Sequence, residues 1–217
     1  MARKPADQSV NREDILLAAA EVLQRKGFEA TTMKDIAGAV KLTAASLYHH
    51  FRNKDALLLA VLEAGLDHII NQIEPIVHSA LSSDEKLRQM ICAHVVGVTH
   101  NTAVGATMVF EIRSLMDVKP LSETASEADQ RAYHDFIARR NRFFAHRDAF
   151  EELFRFVIRE GIANGCFRQT DVGIFTKTLL GAHNWVGVWY RPNGRLSGEE
   201  IAAMMADSFL RALRNEG

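Results

Sequence analysis

The chain is short of cysteine, of proline and of long apolar runs, and each shortage narrows what it can be. Its 217 residues include two cysteines, Cys92 and Cys166, with no CxxC spacing. Two such thiols form neither a disulfide framework nor a zinc site, and they favour the cytoplasm. No apolar stretch approaches the roughly 20 residues that cross a bilayer. The opening MARKPADQSVNRED has no hydrophobic centre for a secretion signal. No membrane partner is expected. A phosphate-binding glycine loop, a nucleophile elbow and paired acid/base residues at motif spacing are all missing. No catalytic residue and no cofactor is therefore assigned, and an enzyme is not expected. His94, His100, His134 and His183 lack a metal-ligand spacing and read as packed or surface histidines. Net charge is also scarce, at -1 overall. It is uneven, however: residues 1–55 carry nine Lys/Arg against seven Asp/Glu, leaving the remainder acidic. That distribution permits a DNA-facing head on an acidic body.

What is present is helical periodicity nearly everywhere, with four prolines and no strong alternating pattern. Capping pairs mark the starts. Asn11 with Asp14, Thr32 with Asp35, Ser82 with Glu85, and Ser197 with Glu200 each set a side-chain acceptor three residues before an acid. Asn53 and Thr170 are further expected caps. Gly27 and Gly165 are expected stops. The pattern predicts an all-α chain of about nine helices: 11–27, 32–39, 43–50, 54–78, 83–103, 105–116, 126–164 with a candidate break near 146, 171–190 and 197–214. Residues 117–126 and 191–198 read as loops. The three short front helices set off an N-terminal domain, 1–53, from a larger helical domain, 54–217.

The second and third helices are joined by a turn at about 40–42. Two short helices so joined make a helix-turn-helix, whose second helix enters the major groove. That helix lies in LTAASLYHHF, Leu42 to Phe51. Thr43 caps it, the small Ala44, Ala45 and Ser46 let the backbone approach bases, and Leu47 and Phe51 anchor it inward. Tyr48 and His50 can donate to phosphates, and Lys54 adds charge. Thr32, Lys41 and His49 complete the candidate DNA-contacting set.

The run TTMKDIAGAVKLTAASLYHHFRNKDALLLAVLEA resembles the DNA-binding head of the TetR family of transcriptional regulators. The matching features are the Thr-rich helix start, Asp-Ile-Ala, Leu-Tyr-x-His-Phe and Asn-Lys-Asp-x-Leu-Leu, in order, within about residues 11–62. The resemblance implies an all-helical homodimer, joined through its last two helices. Its heads would bind a roughly palindromic double-stranded operator, and its C-terminal domain a small effector. It places Thr43, Ser46, Tyr48, His50 and Lys54 on DNA-facing positions. The chain departs from the pattern at Lys41 and Ala45, where the family commonly has glycine. A lysine in that turn is expected to take a left-handed backbone. Repression is the commoner outcome in the family, and activation also occurs.

The segment AHNWVGVWYRPNGRLSGEEIA, residues 182–202, resembles a subset of these regulators that control fatty-acid or steroid catabolism, several of them answering to acyl-CoA. Such a ligand needs cations for phosphates and an apolar slot for its chain. Arg113, Arg139, Arg140 and Arg191 are candidates for the first, and Met108, Phe110, Phe136 and Phe156 for the second. Asn184, Trp185 and Trp189 join the effector candidates. The two tryptophans, four apart on one helix face, suit either a pocket wall or a dimer interface. The alternative to a regulator is a helical protein-interaction module without sequence-specific DNA binding.

Overall fold

A computed structural model describes residues 10–122 and 124–214, and all regular structure among the described residues is helical. The elements are α1 (Arg12–Ala30), α2 (Met33–Ala39), α3 (Ala44–His50), α4 (Lys54–Val77) and α5 (Ser83–His100). They continue as α6 (Thr102–Phe110), α7 (Ile112–Met116), α8 (Glu127–Ala163), α9 (Val172–Trp189) and α10 (Gly198–Leu213). Capping explains most of the starts. Asn11, Thr32 and Ser197 form reciprocal capping boxes with Asp14, Asp35 and Glu200. Asn53 accepts from the Ala56 N–H.

The departures from sequence expectation are local. Ser82 makes no side-chain cap bond, and Asp171, not Thr170, caps α9 by accepting from Ile174. Asn101 ends α5 early and caps α6. The stretch expected as 105–116 breaks at Glu111 into α6 and α7, so ten helices stand among the described residues where nine were expected. The candidate break near 146 is absent: α8 runs unbroken for 37 residues. Gly27 leaves helical geometry, at φ 75°, inside the span of α1.

Two hydrophobic cores form. The head core joins Ile15, Leu16 and Ala19 of α1, Met33 and Ile36 of α2, and Leu47 and Phe51 around α3. The body core is larger and centres on α5, with Phe143, Phe150, Phe154 and Val157 from α8 packed against it. Helix α4 serves both. Leu57, Ala60 and Val61 close the head core, while Leu58, Leu59, Leu62 and Leu66 enter the body core. Six consecutive residues, Leu57 to Leu62, are therefore buried. This makes α4 apolar enough to cross a bilayer by composition, yet its apolar faces are covered by the chain itself. A partly buried ion pair, Lys86 to Glu160 at 3.1 Å, ties the start of α5 to the end of α8. Helices α6 and α9 cross at Gly105 and Gly187, where a methyl group on Gly187 would sit 3.2 Å from the α6 backbone. That close crossing holds α6 between α9 and α1.

The turn of the helix-turn-helix has a specific chemistry. Lys41 has φ 57° and is the one non-glycine residue with positive φ among the described residues. Its N–H donates to the Gly38 carbonyl at 3.2 Å, and the Leu42 N–H donates to the Ala37 carbonyl at 2.8 Å. These two bonds make a Schellman motif that satisfies the last carbonyls of α2. A left-handed lysine costs about 1–2 kcal/mol. Lys41→Gly removes that cost but loosens the unfolded chain by about 0.5–1 kcal/mol. The urea midpoint is therefore expected to stay level or rise by up to about 1 kcal/mol in stability, with the fold unchanged; a clear fall would contradict the strain assigned to the turn.

Candidate functional site

The outer face of the head is polar and accessible. Thr43 begins α3 with extended backbone and accepts from the Ser46 N–H at 3.1 Å; its hydroxyl also meets the Ser46 hydroxyl at 2.9 Å. Leu47 is fully buried and fixes the roll of the helix. That roll turns Ala45, Tyr48, His49 and His50 outward, with Ala44 and Ser46 half-buried beside them. Lys41 and Thr32 are exposed as well. The Thr32 hydroxyl donates to Asp35 at 2.7 Å. The carboxyl of Asp35 also accepts from Lys26 and stays far below the usual carboxylate range. The structure gives Lys54 a second occupation. Its ammonium donates to the carbonyls of Phe28 and Glu29 at 2.6 and 3.3 Å and lies 4.3 Å from the centre of the Phe28 ring. It thus closes the carbonyl end of α1, leaving one of its three N–H bonds uncommitted among the described residues.

The head is tied to α8 by charge. Arg52, just after α3, pairs with Asp129 at 2.5 Å, and Arg139 grips Glu63 of α4 through two nitrogens. His146 lies 3.4 Å from Asp67. Helix α8 therefore follows α4 from the exit of α3 downward.

Behind the head lies a cavity of about 570 Å³, within the usual range for small-molecule sites. Its buried wall includes Leu16 of α1, Val61, Leu66 and Ile69 of α4, His94 and Val98 of α5, Phe150 of α8 and Leu180 of α9. Its exposed rim includes Glu13, His68, His100, Arg147 and Lys177. Met108 and Asn184, both named from sequence, are in this wall.

The other effector candidates lie elsewhere, for evident reasons. Phe136 packs on the body core. Phe110 and Trp185 share an exposed face, their rings 6.1 Å apart, with Trp189 exposed one turn further along α9. Phe156 faces outward from α8. Arg139 is held by Glu63, and Arg140 donates to the Leu115 carbonyl and to Asn141. Arg191 donates to the carbonyls of Val188 and Tyr190 and so closes the end of α9. Arg113 is exposed on α7. The wall residues His94, Phe150 and Leu180 escaped sequence reasoning about ligands. Their signal was their place on the apolar stripes of α5, α8 and α9, which reads equally as core.

Among the described residues, no three His, Cys, Asp or Glu side chains gather as metal ligands. Burial alone pushes the His94 imidazole down to about 4, and His183, buried against it, also falls well below its ordinary value. Both rings are neutral at pH 7.

Comparison with known proteins fits this arrangement. Residues 15–61 match the bacterial regulatory proteins of the tetR family, and residues 137–213 match a tetracyclin repressor-like C-terminal domain. The HTH-type transcriptional repressor KstR2 of Mycolicibacterium smegmatis is 29% identical over 199 residues, covering 91% of this chain and 87% of that protein. The crystal structure of PfmR, a TetR family transcriptional regulator from Thermus thermophilus, is 31% identical with a TM-score of 0.75, covering 94% of this chain and 98% of its own. AibR in complex with isovaleryl coenzyme A and operator DNA shares the fold, with a TM-score of 0.70, 24% identity and coverage of 93% and 97%. A helix-turn-helix head matched over most of its length, a matched C-terminal domain and a relative aligned end to end lead to one assignment: the chain belongs to the TetR family of bacterial transcriptional regulators.

Proposed function

We propose that the chain is a dimeric transcriptional repressor that holds a palindromic operator and releases it on binding a small, largely apolar effector, with acyl-CoA thioesters the leading class. In this reading residues 1–53 read DNA and residues 54–217 bind effector and dimerise. The protein acts in the cytoplasm, with neither cofactor nor membrane.

One observation carries the proposal: the cavity wall is built from α1 of the head as well as from five helices of the body. A ligand there touches the reading domain itself. It presses on Leu16 and Val61, which also belong to the head core. Any preference of the ligand for one head position is then converted into a change in DNA affinity. Phe150 and Arg147 of α8 also meet the cavity, and α8 holds Arg52 at the exit of the recognition helix through Asp129. Arg147 on the rim suits an anionic group outside an apolar interior, and Lys177, also on the rim, is paired with Glu151 at 3.2 Å. The acyl-CoA class also draws on AibR, which was crystallised with isovaleryl coenzyme A.

Dimerisation is assigned to α9 and α10. Ile174, Trp185 and Trp189 on α9 and Met204 on α10 are large, apolar and about half exposed, a density unusual for a monomer surface. Trp185 belongs to this face rather than to the cavity wall, and the two-fold contact it forms would set the distance between heads. On DNA, Thr32, Lys41, Thr43, Ala44, Ala45, Ser46, Tyr48, His49, His50 and Lys54 form the contacting set.

The test is selection of bound sequences from a random duplex pool, followed by release with acyl-CoAs and the corresponding free acids. The expected result is a palindrome with half-sites about 34–36 Å apart, released by thioesters. A folded dimer that enriches no sequence would overturn the reading and favour a protein-interaction module.

A further inference from the structure

One unusual pair stands at the floor of the cavity, which His94 lines and behind which His183 is buried. His94 of α5 and His183 of α9 are 5% and 0% exposed, and their Nδ1 atoms lie 3.3 Å apart. Phe150 and Phe154 pack against His94 with ring centroids 5.4 and 6.2 Å away, and Phe209 lies 5.7 Å from His183. No charged side chain hydrogen-bonds either ring among the described residues.

Two nitrogens that share one hydrogen bond need one proton between them, so the neutral rings hold opposite tautomers. The surroundings decide which ring holds which. His183 Nε2 is buried with no hydrogen-bond partner. A proton there would bury an unpaired N–H, whereas a proton on Nδ1 buries only a lone pair. Orphaned N–H donors are the rarer and costlier defect. His183 therefore carries its proton on Nδ1 and donates it to His94 Nδ1. The proton of His94 then sits on Nε2, which has no hydrogen-bond partner among the described residues and, unlike Nε2 of His183, is not fully enclosed. His94 lines the cavity, among Ile69, Val98, Phe150 and Leu180.

We infer that the His94 Nε2–H is the specificity-determining donor of the cavity, selecting effectors that present a neutral carbonyl oxygen within an apolar body. This rests on the cavity being the effector site and narrows the class of effector. A carboxylate is the wrong partner for that position, because the cations Arg147 and Lys177 stand on the exposed rim and none stands beside the ring. The charged end of a ligand belongs at the rim, and its carbonyl inside. Burial, which keeps the ring uncharged, supports a donor that is neutral across the physiological range.

The carbonyl could belong to an acyl thioester or to a ring ketone, and two matched pairs separate these sources. Dodecanoyl-CoA is compared with S-dodecyl-CoA, which has a methylene in place of the carbonyl. Dehydrolithocholic acid is compared with cholanic acid, which lacks the ring ketone. Kd is measured by calorimetry on the full-length protein and on His94→Phe. The expected result is that, in one pair, the oxo compound binds at least about tenfold more tightly than its partner, because its loss leaves a buried donor unpaired. In His94→Phe that ratio falls to about one, through weaker binding of the oxo compound alone. His94→Gln, which keeps an N–H donor, retains part of the ratio. Long-range nitrogen–proton NMR on the unmutated protein gives an independent check: His94 is expected as the Nε2–H tautomer and His183 as the Nδ1–H tautomer. The inference is overturned if both pairs bind without discrimination, if the ratio survives in His94→Phe, or if the tautomers are reversed; in each case the cavity remains an effector site. If no compound of either pair binds the folded, DNA-binding protein, the effector-site reading falls together with the inference.

Discussion

Operator affinity is expected to fall by about two orders of magnitude between 50 and 200 mM salt. Among the described residues, most cations of the head are already engaged. Lys26 pairs with Asp35, Arg52 with Asp129, and Lys54 with carbonyls of α1, while Arg12 lies over the Phe51 ring. Lys34 and Lys41 are exposed and make no ion pair among the described residues. Two such lysines per head give about four neutralised phosphates per dimer. Counterion release then sets a slope of about -3.6 in log K against log salt, or a loss of roughly 150-fold over that range. Lys41→Gln removes two of the four contacts, and the slope should drop by nearly half. Fluorescence anisotropy with the selected duplex at five salt concentrations measures both slopes. An unchanged slope in the variant would remove Lys41 from the DNA face; a slope near zero in the parent would remove the head itself.

Acid should weaken the fold through the histidine pair, well above the range where carboxylates act. Unfolded, His94 binds its proton near 6.5; folded, burial holds it at about 4. Below pH 6.5 the unfolded state binds more protons than the folded one, so stability falls as pH falls. The loss continues until the folded pKa is reached and then levels off. At pH 5 it amounts to about 2 kcal/mol for His94 alone, at 1.36 kcal/mol per pH unit. His183, shifted in the same direction by burial and by its neighbour, adds to it. Asp84, Glu152 and Asp207 have lowered values held by hydrogen bonds from Ser82, Arg159 and Arg88, and their losses come at lower pH. Urea unfolding at pH 7 and pH 5 is the measurement, with His94→Phe alongside. The variant should lose about 2 kcal/mol less than the parent over this interval. Equal losses would mean that water or protons already reach the pair in the folded state.

How much of this was legible beforehand depends on the distance over which each feature is encoded. The helix-turn-helix is local: caps, small residues and one inward leucine sit within twenty residues, and Thr43, Leu47 and Lys41 take the conformations expected of them. The break at Glu111 was invisible because no glycine or proline marks it. The cavity is encoded over the longest distance, since its wall gathers residues from Glu13 to Asn184. Periodicity shows which faces turn inward, and a void arises where six such faces fail to meet, which no single segment records. Phe136 and Met108 are alike by that signal and both pack on the body core, yet Met108 also borders the cavity. The exposed Trp185 and Trp189 share a face, as their spacing required, but spacing could not say what lies opposite.

The double burial of α4 bears on how portable the reading head is. Leu57, Ala60 and Val61 fill the head core, and Leu58, Leu59 and Leu62, interleaved with them, fill the body core. A cut before Lys54 would remove one wall from the head, and a cut after Leu62 would carry three bare leucines away with it. No scission point yields a free-standing head. Exchanging the outward residues of α3 is therefore expected to move operator preference between such proteins more readily than exchanging whole heads.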